Sequence, residues 1–494
     1  THFKNPKEVF STASSGHIFT ALLFILLSVV FIRIYKNKVH FILPIQSSVG
    51  VLKKVIVLPI VLGVLLLGIR GGFQPIPMNL SDAYFSNTTI LNDIAVNSNW
   101  NIIQSILKSK SSFEGNPYKK YPNKDVEKFV KNLKNNENDS NIYVLNSNNP
   151  NIVFILLESW SADNVESLDG LMGITPNFKA LEDEGLLFTD FYSNGYKSDQ
   201  AMSSIFSSFP VFPYVSIINQ SDKARKLPSL NKLLKDYHSS YFFGGQLTYG
   251  NIKGYLLSQG FDLVKDENDY KHLPSGRLGV HDEFMFTQFK QELNELSQPF
   301  MSTLFTISSH SPYDFPAKHK LSFDSKEDKY VNSVAYTDKC LGVFMESVKN
   351  EDWYDNTLFI ILADHSHNSP LNRRVAQKEK FHIPMLWFGE ALKGNFKGSK
   401  WNKVCSHIDI APTLLNQLQI APESAYFGCN ALNVNAKGFV PFSFIRGYGA
   451  IKENSNYAYS ITYKKSFEEK FESEEMIIIK EIEMYMQYAF MTYL

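Results

Sequence analysis

Short apolar runs that alternate with amphipathic segments constrain the fold of this chain more than any other feature. From about Asn151 onward, runs of strand length such as Ile152–Leu157 and Leu358–Leu362 contain no charged residue, and amphipathic stretches such as Thr175–Glu184 and Lys329–Lys349 separate them. Strands that are buried on both faces and joined by helices are typical of a mostly parallel sheet. We therefore predict that residues 151–494 form an α/β domain in which helices sandwich a mostly parallel sheet.

The composition is typical of a folded protein and disfavours some classes of partner and metal site. Of the 494 residues, 44% are hydrophobic and 20% are charged, which is enough apolar material for a large core. Lys plus Arg and Asp plus Glu both number 49, and this balance disfavours a nucleic-acid partner. Cys340, Cys405 and Cys429 are widely spaced, so we expect neither a disulfide framework nor a cysteine-rich zinc site. Any metal is expected to bind through oxygen and nitrogen.

Two uncharged runs near the start of the chain, Ile18–Ile32 and Val55–Ile69, indicate membrane segments. A 15-residue helix rises about 22 Å against a hydrocarbon core of roughly 30 Å, so flanking residues must extend each run. The loop between them carries five basic residues and no acidic one, as expected of a cytoplasmic loop: Arg33, Lys36, Lys38, Lys53 and Lys54. The alternative is a pair of buried core helices. We predict a membrane region at residues 1–70 with two transmembrane helices.

This orientation predicts a multi-pass protein of the cell membrane whose catalytic domain lies outside the cytoplasm. The chain begins at Thr1 rather than Met, and an outside start predicts further helices upstream. Residues 71–150 are expected to form a helical and Asn-rich linker, since eight Asn lie between residues 131 and 150.

Ionisable residues follow three of the apolar runs. Glu158 follows the first, His310 follows the run Met301–Ile307, and Asp364-His365 follows the third. Parallel strands bring their carboxyl ends to one edge of a sheet, where open α/β sheets build their sites. A charged strand end is also a common aid to solubility, but three in one domain favour a site. Carboxylates and an imidazole suit Mn²⁺, Mg²⁺ or Zn²⁺. We predict a metal centre that includes Glu158, Asp364 and His365.

A polar turn, Asn194–Gln200, precedes a helix that we expect to start at Asp199. Ser198 would then be the N-cap residue, where backbone amides and the helix dipole favour a phosphate-like anion. A hydroxyl beside a metal is also well placed to act as a nucleophile. Lys197 would add positive charge to the same pocket. The simpler alternative is that Ser198 only caps the helix.

Taken together, these residues resemble the lipoteichoic acid synthase-like phosphoglycerol transferase group of the sulfatase and alkaline phosphatase superfamily. The likeness is carried by six segments in order: Arg70–Gly72, Asn151–Glu158, Lys197–Asp199, Ser308–Pro312, Ala363–His365 and His407–Thr413. The resemblance implies a site for Mn²⁺ or Mg²⁺ formed by Glu158, Ser198, Asp364 and His365. It also implies that Ser198 is the nucleophile and that His310 contacts the phosphoryl or leaving oxygen.

The chain departs from this group at several positions. Ser198 replaces the Thr of the best-known members, and Ser198–Met202 lacks the Pro and Arg that sulfatases need to form formylglycine, which disfavours sulfate-ester hydrolysis. Gln246 and Asn251 lie where the group often has His and Asp, and we expect both to contact substrate. His367 follows the Asp-His pair in place of the usual Gly. It is expected to be an extra substrate or metal contact, or else a surface-loop histidine.

The resemblance implies a membrane-anchored, metal-dependent phosphotransferase. It would move a phosphoglycerol-like group from a membrane lipid to an extracytoplasmic glycan or lipid acceptor through a covalent phospho-serine. Two enzymatic alternatives use the same site: phosphoethanolamine transfer, and hydrolysis of a phosphodiester or sulfate ester. A third alternative is an inactive, membrane-tethered binding protein.

The predicted membrane orientation can be tested by adding one cysteine at a time to the chain. In intact cells, Ser47→Cys should resist a membrane-impermeant thiol reagent because it lies in the predicted cytoplasmic loop, whereas Asn146→Cys should react. The parent chain, which carries only the three native cysteines, measures background labelling. The opposite labelling pattern would place the catalytic domain in the cytoplasm.

Overall fold

A computed structural model describes residues 30, 33, 51–73, 77–102, 115–134, 140–318, 320–467 and 473–493. The chain divides into two compact units, Thr1–Asn79 and Leu80–Leu494. Each unit is described by itself.

The first unit contains one long described helix, α1 (Val51–Arg70), which covers the predicted apolar run Val55–Ile69. Aliphatic side chains such as Ile60, Val64 and Ile69 are exposed along it. The helix ends at Arg70, and the positive φ of the next residue, Gly71, allows the chain to change direction. The other apolar run, Ile18–Ile32, lies almost entirely outside the described residues. Within the described ranges, no helix combines the length and apolarity that crossing a membrane requires. The two predicted transmembrane helices are therefore not confirmed.

The second unit contains strands in three sheets and a set of helices. The strands are β1 (Asn151–Leu157), β2 (Gly185–Phe188), β3 (Phe191–Tyr192), β4 (His238–Phe243), β5 (Leu263–Lys265), β6 (Phe300–Phe305), β7 (Thr357–Ala363), β8 (Met385–Phe388), β9 (Ser399–Trp401), β10 (Cys405–Ser406), β11 (Val440–Phe444), β12 (Gly447–Ile451), β13 (Asn456–Ser460) and β14 (Lys465–Ser466). The α-helices are α2 (Thr89–Ala95), α3 (Asn123–Lys134), α4 (Pro176–Glu182), α5 (Ser198–Ser207), α6 (Ser221–Ala224), α7 (Leu230–Leu233), α8 (Ile252–Ser258), α9 (Asp282–Asn294), α10 (Asp328–Val348), α11 (His407–Gln417) and α12 (Ser473–Tyr493).

The largest sheet has eight strands in the order β5-β4-β6-β1-β7-β8-β2-β9. The strands from β5 to β7 are all parallel, as predicted. β8 is antiparallel to both β7 and β2, so the sheet is mixed. The segment between β7 and β8 contains no α-helix, and a parallel pairing normally requires a helical crossover. Five of the seven pairings in this sheet are parallel, so the prediction of a mostly parallel sheet is confirmed, and the short connection explains the antiparallel placement of β8.

Helices cover both faces of this sheet. The register aligns Phe154 of β1 with Thr303 and Tyr241 on the neighbouring strands, so these side chains share one face. Phe206 of α5 packs on Phe154 with ring centroids 5.6 Å apart. Phe242 points to the opposite face, where its ring lies 5.6 Å from that of Phe289 of α9. A sheet buried on both sides explains why β1 and β7 contain almost only apolar residues.

Part of the predicted linker packs within the second unit. Helix α3 lies against the C-terminal helix α12, and the side chain of Gln487 ties the two regions together. Its Oε1 accepts hydrogen bonds from the backbone amides of Lys120 (2.8 Å) and Tyr121 (3.0 Å), and its Nε2 donates to the Tyr121 carbonyl (2.8 Å). The described residues after Leu80 therefore belong to the same compact unit as the sheet.

A buried aspartate holds together the elements that follow β6. Asp282, the first residue of α9, accepts hydrogen bonds through Oδ1 from the backbone amides of Ile307 (2.8 Å) and Ser308 (3.2 Å). The hydroxyl of Thr337 in α10 donates to its Oδ2 at 2.6 Å. Burial raises the pKa of Asp282 and these hydrogen bonds oppose the rise. The turn that leaves β6 is thus anchored to two helices at once.

We predict that Asp282→Ala lowers the free energy of unfolding by about 2–4 kcal/mol, because it leaves buried donors unpaired. Chemical denaturation of the variant and of the parent chain measures this loss. The control is Asp352→Ala, since Asp352 is exposed, and it should change stability by less than about 0.5 kcal/mol. Equal stabilities for the two variants would show that Asp282 does not anchor the turn.

Candidate active site and metal centre

The three predicted metal ligands meet at the carboxyl edge of the sheet. Glu158 follows β1, and Asp364 and His365 follow β7, which is the parallel neighbour of β1. Leu157 pairs with Ala363 in register, so the next residue on each strand faces the same point. Glu158, Asp364 and His365 each offer one ligand atom, and these atoms lie within 4.8 Å of one another. Glu158 is 2% exposed and Asp364 is 1% exposed.

A strained turn orients the two carboxylates. Ser159 has φ 59°, a left-handed conformation that costs a residue other than Gly roughly 1–2 kcal/mol. This conformation lets its backbone amide donate to Asp364 Oδ1 (2.8 Å) and its hydroxyl donate to Glu158 Oε1 (2.6 Å). The hydroxyl of Tyr330 in α10 donates to the Ser159 carbonyl at 2.6 Å. One short turn therefore fixes an oxygen of each acid.

The electrostatics of the cluster fit a bound cation. Burial and the adjacent Glu158 carboxylate raise the pKa of Asp364 to about 6. Burial lowers the pKa of His365, but Asp364 and Glu158 outweigh it and the net shift is upward. Asp364 Oδ2 is buried without a hydrogen-bond partner among the described residues, and it lies 3.5 Å from His365 Nε2. Two buried acids, an unsatisfied oxygen and an imidazole form a donor set suited to a hard divalent ion.

Ser198 lies next to this cluster, but it is not the N-cap residue of the helix that the sequence predicted. Helix α5 begins at Ser198 itself, and Lys197 is the N-cap residue, with φ −146° and ψ 148°. Because Lys197 already has the extended conformation of an N-cap, Ser198 takes the first helical position. Its hydroxyl donates to Glu158 Oε2 at 3.3 Å. Ser198 therefore faces the acids rather than capping the helix.

Asn194 fixes the turn that leads to Ser198. Its Nδ2 donates to the Pro441 carbonyl of β11 (2.7 Å) and to the Ser406 hydroxyl (3.1 Å). Its Oδ1 accepts a hydrogen bond from the Ile408 amide in α11 at 3.2 Å. The position of the predicted nucleophile thus depends on elements that lie more than 200 residues away in sequence.

The two other predicted catalytic residues lie at the rim. His310 is exposed in the turn after β6, and its Nδ1 is 2.7 Å from the Ser311 carbonyl. The preceding residue, Ser309, donates its hydroxyl to the Glu158 carbonyl at 2.6 Å, which ties this turn to the cluster. Lys197 is exposed, and its Nζ lies 5.5 Å from the centroid of the Tyr196 ring. No described hydrogen bond or ion pair joins Lys197 to the cluster.

His367 belongs to an aromatic wall beside the cluster. Its Nε2 lies 3.1 Å from the Tyr313 hydroxyl, and its ring lies 4.3 Å from the ring of Tyr330. Burial lowers its pKa. The structure thus packs His367 against two tyrosines rather than leaving it as a free surface histidine. Within the described residues, the group that could hold an ion contains Glu158, Asp364 and His365 but not His367.

The predicted substrate contacts near β4 differ from each other. Gln246 is half-buried in the loop after β4. Asn251 is buried, its Oδ1 accepts a hydrogen bond from the Ser81 hydroxyl, and its Nδ2 donates to the Ile218 carbonyl. Both polar ends of Asn251 are therefore used within the protein. We assign this residue a structural role in place of the predicted contact with substrate.

Sequence reasoning missed the residues that support the cluster. Ser159 is adjacent to Glu158 and could have been suspected from that position alone. Ser309 lies inside the Ser308–Pro312 segment, but only the fold shows that its hydroxyl binds the Glu158 backbone. Tyr330 gives no local signal, because it reaches the site from α10 only after the helix has packed on the sheet.

The family model described as Sulfatase matches residues 150–420, which is more than half of the chain. The matched range includes Glu158, Ser198 and the Asp364-His365 pair. The chain belongs to the sulfatase family. It is 25% identical over 357 residues to the lipoteichoic acid synthase-like protein YvgJ of Bacillus subtilis, covering 66% of this chain and 56% of that relative. It is 25% identical over 394 residues to lipoteichoic acid synthase 2 of Bacillus subtilis, covering 73% of this chain and 59% of that relative.

The chain thus spans little more than half the length of these curated relatives. Two solved structures share the fold of this sulfatase-family chain. A protein of the alkaline phosphatase superfamily from Vibrio parahaemolyticus has a TM-score of 0.65 and 24% identity, with 76% of this chain and 97% of that chain covered. The lipoteichoic acid synthase LtaP from Listeria monocytogenes has a TM-score of 0.62 and 21% identity, with 74% and 97% covered. Both confirm an alkaline phosphatase-like α/β fold.

The cluster predicts tight binding of one divalent ion. Asp364→Asn and Glu158→Gln should each weaken Mn²⁺ binding by more than the roughly 10–100-fold that loss of an outer-shell partner costs, because each removes a ligand charge. Isothermal titration of the metal-stripped chain measures this, and the upward shift in Tm on adding Mn²⁺ provides a second readout. Asp352→Asn is the matched surface control. Parent-like affinity in both ligand variants would exclude the assignment.

Proposed function

We propose that this chain is a membrane-anchored, metal-dependent phosphotransferase. It moves a phosphoglycerol-like group from a lipid donor to a glycan or lipid acceptor outside the cytoplasm, by way of a phospho-serine at Ser198. The main support is the contact between the Ser198 hydroxyl and Glu158 Oε2 at 3.3 Å, within a cluster of two buried acids and a histidine. The lipoteichoic acid synthases among the relatives support phosphoglycerol as the transferred group.

In this proposal Glu158, Asp364 and His365 hold the divalent ion, with the Ser198 hydroxyl as a further ligand. When bound, an ion such as Mn²⁺ or Mg²⁺ would lower the pKa of a nearby hydroxyl and offset charge on phosphoryl oxygens. Ser198 is the first residue of α5, so the partial positive charge at the start of this helix also favours the phosphoryl group. Lys197 adds a mobile positive charge at the rim.

The reaction has two balanced steps. First, Ser198 Oγ, which has lost its proton to water, forms a bond to phosphorus, the bond from phosphorus to the diacylglycerol-like oxygen breaks, and that oxygen takes a proton from His310. Second, the acceptor hydroxyl attacks the phospho-serine and gives its proton to His310, and the phosphorus bond to Ser198 Oγ breaks, which returns Ser198 Oγ to its deprotonated form and His310 to its protonated form. His310 fits this exchange because it is exposed, while Ser309 ties its turn to Glu158. Negative charge develops on the phosphoryl oxygens during both steps, and a site with few competing waters stabilises it best.

The donor set argues for an active enzyme rather than a binding protein. A binding protein would have no need for two buried carboxylates that raise the pKa of Asp364, next to a serine that faces them. The stretch Ser198–Met202 lacks the Pro and Arg needed to convert Ser198 into formylglycine, and this favours a phosphate over a sulfate ester. Phosphoethanolamine transfer and phosphodiester hydrolysis use the same catalytic atoms, so the adduct on Ser198 distinguishes them.

We predict that Ser198→Ala lowers transfer at least about 10³-fold, because the nucleophile is lost while the ligand acids remain. Ser198→Thr should keep measurable activity, since it retains the hydroxyl and adds one methyl group. The assay follows release of diacylglycerol from phosphatidylglycerol by the full chain with Mn²⁺. Ser424→Ala, at an exposed serine, is the control.

Mass spectrometry of the Ser198 peptide names the transferred group. After incubation with phosphatidylglycerol, the peptide should carry a glycerophosphoryl mass, and phosphatidylethanolamine should leave no adduct. A phosphoethanolamine adduct would instead show phosphoethanolamine transfer. If Ser198→Ala turned over phosphatidylglycerol like the parent chain, water would be the attacking group and the covalent mechanism would be wrong.

A further inference from the structure

A large open groove runs along α9 and α10 and is not used by the proposed chemistry. Its volume is about 950 Å³, within the roughly 300–1,000 Å³ that is usual for ligand sites. It is bounded by α9, α10, the start of α4 and the chain that follows Phe315. The groove is therefore large enough for a lipid-sized ligand.

Aromatic pairs form much of the groove wall. The rings of Phe286 and Phe344 lie 5.1 Å apart, and those of Phe315 and Tyr336 stack at 5.3 Å. Val343 of α10 also lines the groove and is 63% exposed. Packed aromatic walls with an exposed aliphatic side chain suit an apolar ligand, whereas a sugar polymer would need many polar partners.

The charges along the groove are mainly positive. Lys318, Lys320 and Lys339 line it, are exposed, and form no ion pair with any described residue. Glu283 is an exposed acid in the same lining. Three lysines against one exposed acid favour an anionic group at the rim.

The remaining charged residues of the lining are already paired. Lys290 forms an ion pair with Glu351, which lies outside the groove lining, at 2.6 Å. Asp338 accepts hydrogen bonds from the backbone amides of Asn177 (2.9 Å) and Phe178 (2.8 Å). The charge of Lys290 is thus offset by Glu351, and Asp338 is buried away from the exposed rim.

The groove and the cluster share structural elements. Tyr313 contacts His367, and Phe315 lies two residues farther along, at most about 7 Å of chain. Tyr330 of α10 packs on His367, and Ala335 of the same helix lines the groove. One end of the groove therefore lies near the aromatic wall that His367 forms beside the cluster.

We propose that this groove binds an acyl chain of the anionic lipid donor and that Lys318, Lys320 and Lys339 attract the lipid's phosphate side. This inference rests on the proposed function for the identity of the lipid as the donor. The apolar walls of the groove would bind the acyl chain, and the lysines at its rim would attract the negative charge of the lipid. The end of the groove at Phe315 is the end nearer to the cluster, because Phe315 follows the His367 contact Tyr313 by two residues.

The test uses the full chain and a monomeric, short-chain lipid, dihexanoyl phosphatidylglycerol, in isothermal titration. Val343→Glu should weaken binding at least about tenfold, since it places a charge among the apolar walls. Lys339→Glu should weaken binding of this lipid more than binding of dihexanoyl phosphatidylcholine, which has the same chains and no net charge. The matched controls are Val434→Glu and Lys235→Glu, at exposed residues outside the groove lining.

The outcomes separate this inference from the proposed function. Binding of glycerol phosphate, which lacks acyl chains, should be unchanged in Val343→Glu. If Val343→Glu and Val434→Glu bound dihexanoyl phosphatidylglycerol equally, the groove assignment would be wrong even if transfer at Ser198 were active. If Ser198→Ala lost transfer but bound the lipid like the parent chain, the nucleophile would be supported, and weaker binding by Val343→Glu than by Val434→Glu would separately support the groove. Groove binding without any transfer by the parent chain would overturn the function alone.

Discussion

The candidate site depends on two carboxylates held side by side away from water. Like charges in a region of low dielectric repel strongly, and the folded chain accepts this cost at Glu158 and Asp364. The parallel register of β1 and β7 forces the two acids together. Leu157 and Ala363 are paired, and the next residue on each strand leaves the sheet at the same point. Burial, together with repulsion from Glu158, raises the pKa of Asp364. A divalent ion would offset it, so metal binding and the stability of this edge are expected to be linked.

The supports of this pair come from distant parts of the chain. The Ser159 turn aims the acids, Tyr330 of α10 holds that turn, and Ser309 holds the Glu158 backbone. Asn194 fixes the approach to Ser198 through β11 and α11. Since each support belongs to a different element, the geometry of the site is set by packing of the whole domain rather than by one loop. This arrangement keeps Ser198, the proposed nucleophile, near the acids without help from substrate.

Sequence alone was sufficient for the parts of the fold that depend on local pattern. Apolar strands followed by Glu158, Asp364 and His365 predicted both the parallel core and the meeting point, because parallel strands must share their carboxyl edge. The direction of β8 could not be predicted, since its apolar run is the same whichever way it pairs. The start of α5 was misplaced by one residue, because Ser198 is a favourable N-cap type and only the backbone of Lys197 shows otherwise.

The roles of some residues depend on tertiary contacts that the local sequence pattern does not reveal. Asn251 stands in a segment where a substrate contact was expected, but its amide is used by Ser81 and Ile218, which lie 170 and 33 residues away. Tyr330 looks like an ordinary buried tyrosine of an amphipathic helix, yet it holds the Ser159 turn. A motif names the residue types that chemistry requires, whereas the supporting hydrogen bonds depend on which elements meet in space.

Helix α10 fixes the distance between the apolar groove and the cluster of Glu158, Asp364 and His365. Tyr330 near its start supports the Ser159 turn and packs on His367, and Val343 near its end lines the groove. The 13 residues between them rise about 20 Å at 1.5 Å per residue. Because one continuous helix spans this distance, the groove cannot move relative to the cluster unless the helix bends or shifts as a whole. A ligand that filled the groove would therefore be held at a distance from the cluster that α10 sets.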